Sequence, residues 1–259
     1  SFRGAFVSDL TPQMEREIDT DHAVEIAPHI FWVGFYDQVE KLHCNPYLIK
    51  NGSESILIDP GSVPDFPVVA RKTFALVGAE TIQSIILQHQ DPDLCAAVPI
   101  FEDLRESYDI DIYCMQGTSY LIHHYGIKGN LVRLEHATTR RTTRGGRKLE
   151  FIWTPYAHSF GAMMTLDLKT NTLFTSDILG GLGKDWELFH SVQALENMKK
   201  FMQLIMPSNT VLRYSLELIR RAKPDLICPQ HGQVIRREHL DDVIQQLWEL
   251  PCGMDLIVT

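Results

Sequence analysis

The sequence predicts a layered α/β fold, an αββα sandwich, and three observations carry that prediction. The first third is strand-rich, with strands closed by turn residues. A continuous apolar strand, Gln83-Ser84-Ile85-Ile86-Leu87-Gln88, then opens an alternation of helical and strand patterns. A second strand-rich block starts near Phe151 and is again followed by helices.

In chain order, Ile30 to Phe35, Asn45 to Lys50 and Ser55 to Asp59 read as strands, and Asn51-Gly52 between the last two is a hairpin turn. Asp65 to Val77 has helical spacing, and the buried strand at 83–88 runs directly into His89. Asp93 to Leu104 (helix), Ile110 to Cys114 (strand), Gly117 to Tyr125 (helix) and Leu131 to Leu134 (strand) complete the first half. Thr138 to Lys148, with Arg140, Arg141, Arg144 and Arg147, reads as a solvated basic hairpin. In the second half Phe151 to Thr154 leads to His158, and strands Met163 to Leu168 and Thr172 to Thr175 flank the turn Lys169-Thr170-Asn171. Helices are expected at Ala194 to Ile205, Thr210 to Ala222 and Glu238 to Glu249, with a short strand at Asp225 to Cys228 before His231. Met198, Met202 and Met206 recur every four residues, which is core spacing.

The chain has 259 residues, net charge −9 and 44% hydrophobic residues, enough for a substantial core without a metal or disulfide staple. An acidic balance argues against a nucleic-acid footprint, which needs Lys and Arg to neutralise phosphates. Apolar runs fall far short of the ~20 residues that span a bilayer, so no membrane span is expected. Five cysteines without regular spacing, and a Ser1–Leu10 start lacking the pattern of a secretory leader, predict a reducing, cytoplasmic compartment. The start at Ser1 leaves open that the sequence is a piece of a longer chain.

The chemistry concentrates at strand ends. His89-Gln90-Asp91-Pro92-Asp93 places an imidazole and two carboxylates at alternate positions after a buried strand. Taken alone, a polar loop capping the next helix explains that run as well. His158, Asp177 and His231 also follow strands, and six donors at strand ends make a dinuclear metal site the economical reading. The segment Gly180 to Asp185 fails the spacing of a phosphate-binding loop, since position 178 is Ile and no Ser or Thr follows Lys184, and it reads as a loop beside Asp177. Cys95 and Cys228 lie near the motif and read as small buried hydrophobes.

His89-x-Asp91-x-Asp93, His158, Asp177 and His231 within Ile227-Cys228-Pro229-Gln230-His231-Gly232 resemble the metallo-β-lactamase fold, and more closely the diiron domain of flavodiiron proteins. The similarity runs from about Ile26 to Arg237 and includes Leu57-Ile58-Asp59-Pro60-Gly61 and Leu173-Phe174-Thr175-Ser176-Asp177. Zinc hydrolases of this fold carry His where this chain has Asp91 and Leu94; a carboxylate in place of imidazole moves the site toward iron or manganese. The resemblance implies one iron held by His89, Asp91 and His158, the other by Asp93 and His231, with Asp177 bridging. It departs from the family at Asp91, usually Glu, and at Leu94, usually a second-iron His. Asp59, Leu94, Tyr156, Ser159 and His190 are expected to surround the ligands. Asp59 either orients a ligand or caps its turn, Tyr156 and Ser159 flank His158, and His190 lies in a stretch, Trp186 to Val192, able to fold over the site.

The cofactors implied are two iron ions (Fe2+/Fe3+) with a bridging oxo, hydroxo or peroxo group; nothing in this chain reads as a flavin site. Residues 1–259 are expected to form a single metallo-β-lactamase-like diiron domain similar to stand-alone oxygen-binding diiron proteins, which sense oxygen or ferrous iron. Three Asp carboxylates offset three of the four charges of a diferrous pair, so the site should bind anions. Without a fast electron supply, an oxygen adduct should stall as a peroxo-diferric species suited to signalling. The partners implied are O2, with NO as a second ligand, and a signalling output domain or protein; no nucleic acid and no membrane are expected, and a homodimer is left open. Two other readings stay open at this point: an O2 or NO reductase fed by a separate flavoprotein, and a dinuclear metallohydrolase.

Overall fold

A computed structural model of the chain describes residues 18–36, 41–183 and 186–257. The expectation for Ser1–Leu10, and Lys184 and Asp185 of the loop beside Asp177, lie outside the described residues.

Two sheets face each other. The first carries β1 (Val24–Ala27), β2 (Ile30–Trp32), β3 (Tyr47–Asn51), β4 (Glu54–Ile58), β5 (Ile82–Ile86), β6 (Asp111–Met115) and β7 (Asn130–Leu134) in sequential order. Its β1 to β4 are antiparallel neighbours, and β4 to β7 pair in parallel. The second carries β8 (Thr139–Thr142), β9 (Lys148–Trp153), β10 (Met163–Asp167), β11 (Thr172–Ser176), β12 (Leu226–Pro229) and β13 (Ile235–Arg236). There only the β11–β12 pair is parallel.

The period-2 alternation of strands builds the layers. Ile49, Ile58 and Ile86 of the first sheet meet Phe151, Phe174 and Cys228 of the second in the central core. Their strand neighbours Leu48, Leu57 and Ile85 face the other way, onto α1 (Phe66–Phe74) and α3 (Val98–Asp103), where Val69 and Phe101 receive them. On the far side Ile152, Leu173 and Ile227 pack under α5 (Leu195–Ile205), α6 (Asn209–Ala222) and α7 (Arg237–Leu247) through Met198, Leu216 and Ile244. The predicted αββα sandwich is therefore the observed fold, and Met198, Met202 and Met206 are core residues.

Three local expectations differ. The helix read across 93–104 is two short helices, α2 (Pro92–Cys95) and α3, because Pro99 lacks the N–H that would continue α2 and instead starts a new first turn. The helix read at 117–125 is α4 (Gln116–Ile122) followed by a 3-10 turn. The basic hairpin is not all solvated: β8 is the edge strand of the second sheet, and Arg147 is buried in a two-point ion pair with Asp167.

Candidate metal centre

All the predicted donors leave the sheets at one end. His89 follows β5 by three residues, Asp177 follows β11 directly, and His231 follows β12; the parallel β11–β12 pair sends Asp177 and His231 out at the same edge. His158 lies beyond β9 in the connection to β10. Backbone bonds lock the two sheets together here, Met163 N–H donating to Gln88 O (2.9 Å) and Asn45 N–H to Gln230 O (2.8 Å), while Gln230 N–H donates to Ser176 O (2.7 Å) within the second sheet. Gly232, at φ +82°, lets the turn after His231 press against Gly181, where a Cβ would stand 2.6 Å from the Gly181 nitrogen.

Six side chains converge. His158 Nε2 is 3.0 Å from Asp177 Oδ2 and 3.2 Å from Asp91 Oδ2, and His89 Nε2 is 3.5 Å from Asp91 Oδ2 and 3.7 Å from Asp177 Oδ2. His231 Nε2 is 3.1 Å from Asp93 Oδ2 and 3.5 Å from Asp177 Oδ1. Asp177, only 4% exposed, thus turns one oxygen to each of two donor groups. Asp91 occupies the N-cap position of α2 yet makes no side-chain cap bond, so its carboxylate serves the imidazoles and not the helix.

The far nitrogens of two imidazoles are spoken for. His89 Nδ1 meets Ser176 Oγ at 2.7 Å, and His231 Nδ1–H donates to His43 O at 2.7 Å, which leaves Nε2 of each to face the carboxylates. His89 Nε2 and Asp177 Oδ1 are buried without a hydrogen-bond partner. Buried polar atoms left in this state are costly; a cation in the His89 group satisfies the first and one in the His231 group the second, so the donor set fits a pair of metal ions.

The electrostatics agree. The close approach of the His158 imidazole, then that of His89, holds the Asp91 carboxyl far below the usual carboxylate range. Hydrogen bonds to Asp177 and Asp91 lift His158 to about 10 against its burial. Burial pushes the Asp177 carboxyl up, but the charge of His89, the bond from His158 and the charge of His231 outweigh it and leave it at about 2. Burial pulls His89 and His231 down, and Asp177 and Asp91 for the first, Asp93 for the second, more than restore them. Positive charge is wanted at this point of the molecule, and protons on the imidazoles supply it when no other cation does.

Around these six the expected neighbours divide. Asp59 accepts from Gln88 N–H and Gln88 Nε2, both at 2.9 Å, so it supports the residue before His89 and touches no ligand imidazole; burial lifts its carboxyl to about 7. Leu94 is fully buried in the core under α1 and α3. Ser159 Oγ is buried without a partner, whereas Tyr156 is 55% exposed, its ring against Phe160. His190 stands apart, against His239, and burial holds it down at about 4. The stretch around it does reach the site's flank: Trp186 Nε1–H donates to Gly232 O at 2.7 Å and its ring packs on His43. Cys95 Sγ donates to the His89 carbonyl, and Cys228 lies in the central core.

Two groups escaped the sequence reading. Ser176 was read only as the residue between the strand Thr172 to Thr175 and Asp177, with no role of its own. Cys44 carried no spacing signal, yet its sulfur joins Asp93 and His231 in a cluster whose donor atoms lie within 4.8 Å of one another, as do those of His89, Asp91 and His158.

Fold and site together define a metallo-β-lactamase-type sandwich with a carboxylate–histidine cluster at one edge of its sheets. Residues 42–232 match the family model described as ODP family beta lactamase, and the chain belongs to that family. Among solved structures, it resembles one described as the peroxy diiron species of chemotaxis sensor ODP, with a TM-score of 0.77 and 23% identity over 92% of this chain and 98% of that one. It also resembles the rubredoxin oxygen:oxidoreductase of Desulfovibrio gigas, with a TM-score of 0.76 and 18% identity over 88% of this chain and 61% of that one. The type A flavoprotein fprA of Rhodobacter capsulatus is 26% identical over 244 residues, 84% of this chain and 53% of its own length. The chain spans between half and two thirds of the curated relatives it matches first. No helix among the described residues is long and apolar enough to cross a membrane.

Proposed function

We propose that this chain is a non-haem diiron domain that binds O2 and acts as an oxygen or iron sensor in signalling. The observation that carries the reading is Asp177, whose two oxygens face two separate donor groups at one buried point. His89, Asp91, His158 and Asp177 Oδ2 would hold one iron; Asp93, His231 and Asp177 Oδ1 would hold the other. Two irons supply redox chemistry and an open position for a diatomic ligand. The protein's part is to fix Nε2 of His89 and His231 through Ser176 and His43, and to hold the buried Asp177 carboxylate ionised between them. Membership of the ODP family, and the likeness to a chemotaxis sensor described as a peroxy diiron species, support sensing over hydrolysis.

The sensor reading extends to a single domain over residues 1–259, a cytoplasmic site of action, a signalling output domain or protein, NO as a second ligand, and a homodimer as the assembly to look for. The likeness to the type A flavoprotein fprA and to rubredoxin oxygen:oxidoreductase favours a reductase fed by a separate flavoprotein as the second reading. Anaerobic reconstitution with ferrous iron, then air, separates the two. A sensor takes up a single equivalent of O2 per iron pair and develops a visible band that persists. Continued O2 consumption with a flavoprotein and reductant overturns sensing, and native protein holding only zinc and cleaving esters overturns both.

A further inference from the structure

Position 94, where the resemblance leads one to expect a second-metal imidazole, is filled by a leucine buried among Val69, Leu87 and Phe101. Counted over the six predicted donors, the group around Asp93 and His231 is one side chain poorer than the group around Asp91. Cys44 stands in that gap. Its sulfur, a carboxylate oxygen of Asp93 and a ring nitrogen of His231 lie within 4.8 Å of one another, and the residue is 5% exposed.

The backbone is tied on both sides of Cys44 to both sides of His231. Asn45 N–H donates to Gln230 O, Asn45 Nδ2–H to Gly232 O at 3.1 Å, and His43 O accepts from His231 Nδ1–H, while Cys44 O accepts from Phe35 N–H at 3.1 Å. Because the Nδ1 proton of His231 is committed to a carbonyl, Nε2 is the nitrogen left to face Asp93 and the thiol. A further buried donor points into the same space: Asp177 Oδ1 has no hydrogen-bond partner and is 3.5 Å from His231 Nε2.

We propose that Cys44 is a protein ligand of the second metal, binding as thiolate beside Asp93, His231 and the bridging Asp177. This rests on the two-metal reading of the site. When the S–metal bond forms, the thiol proton leaves to solvent and no electrons are exchanged. The charge then closes: Asp91, Asp93, Asp177 and one thiolate neutralise two divalent cations inside a buried site, where an uncompensated charge is expensive. The two positions also become unequal. The first is built of nitrogen and oxygen alone, and the second carries a soft donor that suits cobalt or zinc as well as iron.

Cobalt and zinc give the test a readout independent of activity. Wild-type protein loaded anaerobically with Co2+ should bind two ions per chain and show a near-ultraviolet sulfur-to-cobalt charge-transfer band. Cys44→Ser and Cys44→Ala should lose that band and weaken one of the two ions, while Cys95→Ser, the other thiol near the motif, keeps it. Should the Cys44 variants fail to fold, X-ray absorption of zinc-loaded wild type decides, with one sulfur per zinc pair expected at about 2.3 Å. Two ions bound with only nitrogen and oxygen neighbours, or a band surviving in Cys44→Ser, overturns the thiolate ligand and leaves the dinuclear reading standing. Fewer than two ions in wild type overturns both.

Discussion

Ser176 Oγ lies 2.7 Å from His89 Nδ1, linking the end of β11 in one sheet to the first histidine after β5 in the other. Successive residues of an extended strand point to opposite faces, and Ser176 breaks that rule by adopting φ 55°. The turn lets two consecutive side chains reach one imidazole, Ser176 at Nδ1 and Asp177 toward Nε2. A left-handed conformation in a residue other than glycine costs free energy that the surroundings must repay. Ser176→Ala keeps the backbone and removes the hydroxyl. Loss of an outer partner of this kind lowers metal affinity by roughly 10–100-fold. Competition with a chromophoric chelator measures the drop, and an unchanged affinity would mean that the hydroxyl does not orient His89.

Asp177 and Asp93 should separate by stoichiometry. Asp93 Oδ2 faces His231, whereas Asp177 faces both groups. Asp93→Asn is therefore expected to leave one ion per chain tightly bound, and Asp177→Asn to weaken both by more than the roughly 10–100-fold cost of an outer partner. Elemental analysis after gel filtration distinguishes them. Equal retention of two ions by Asp177→Asn would remove the bridging role.

How much of this was legible in the sequence follows from where the information lies. The six donors could be found because each stands just past an apolar strand, and strand ends are visible as a change from β-branched to polar residues. Sheet order was legible only as alternation; β1 and β13 escaped, and β8 was read only as part of a basic hairpin, because none of them carries the continuous apolar run that marked strands as short as β2 and β12. Cys44 could not be found at all. It reaches His231 through bonds such as Asn45 Nδ2 to Pro229 O, 184 residues apart in sequence, and only the packing of one sheet against the other makes that contact. Arg147 misled for the opposite reason. It sits in a basic run that composition reads as solvated, while its partner Asp167 lies on the neighbouring strand β10.

The Arg147–Asp167 pair should control acid stability. Arg147 Nε and Nη2 donate to Asp167 Oδ1 and Oδ2 at 2.6 and 2.7 Å, and both residues are buried. Burial pushes the Asp167 carboxyl up, but the bonds from Arg147 and Thr170 outweigh it and bring it below its ordinary 3.8. A carboxyl depressed in the folded state contributes stability that is complete above 3.8 and is lost as pH falls through the lower folded value. Asp167→Asn leaves Arg147 charged and unpaired in the interior, at a cost of about 3–5 kcal/mol near neutrality. Urea titrations should show that deficit shrinking as pH drops below 3.8. A deficit independent of pH would mean that the carboxylate charge contributes nothing.

Lys72 should act at the alkaline end and with the opposite slope. Its Nζ donates to the carbonyls of Thr20 and Gly34 at 2.6 Å each and stands 4.2 Å from the centre of the Trp32 ring, so the stem of α1 is tied to the strands beside it. Burial, with Arg71 nearby, lowers its pKa from 10.5 to about 8. Between those values the unfolded chain holds a proton that the folded one has released, so stability rises with pH across the window and is complete only above 10.5. At one pKa unit per 1.36 kcal/mol the rise amounts to at most about 3 kcal/mol. Lys72→Met keeps the apolar stem and removes the proton. Wild type and variant, both metal-free, are expected to diverge steadily between pH 8 and 10.5 in denaturant midpoint, the tyrosine and cysteine titrations cancelling in the difference. Parallel curves across that window would show that Lys72 keeps its proton in the fold, and that the two carbonyls and the Trp32 ring repay the whole cost of burying an ammonium.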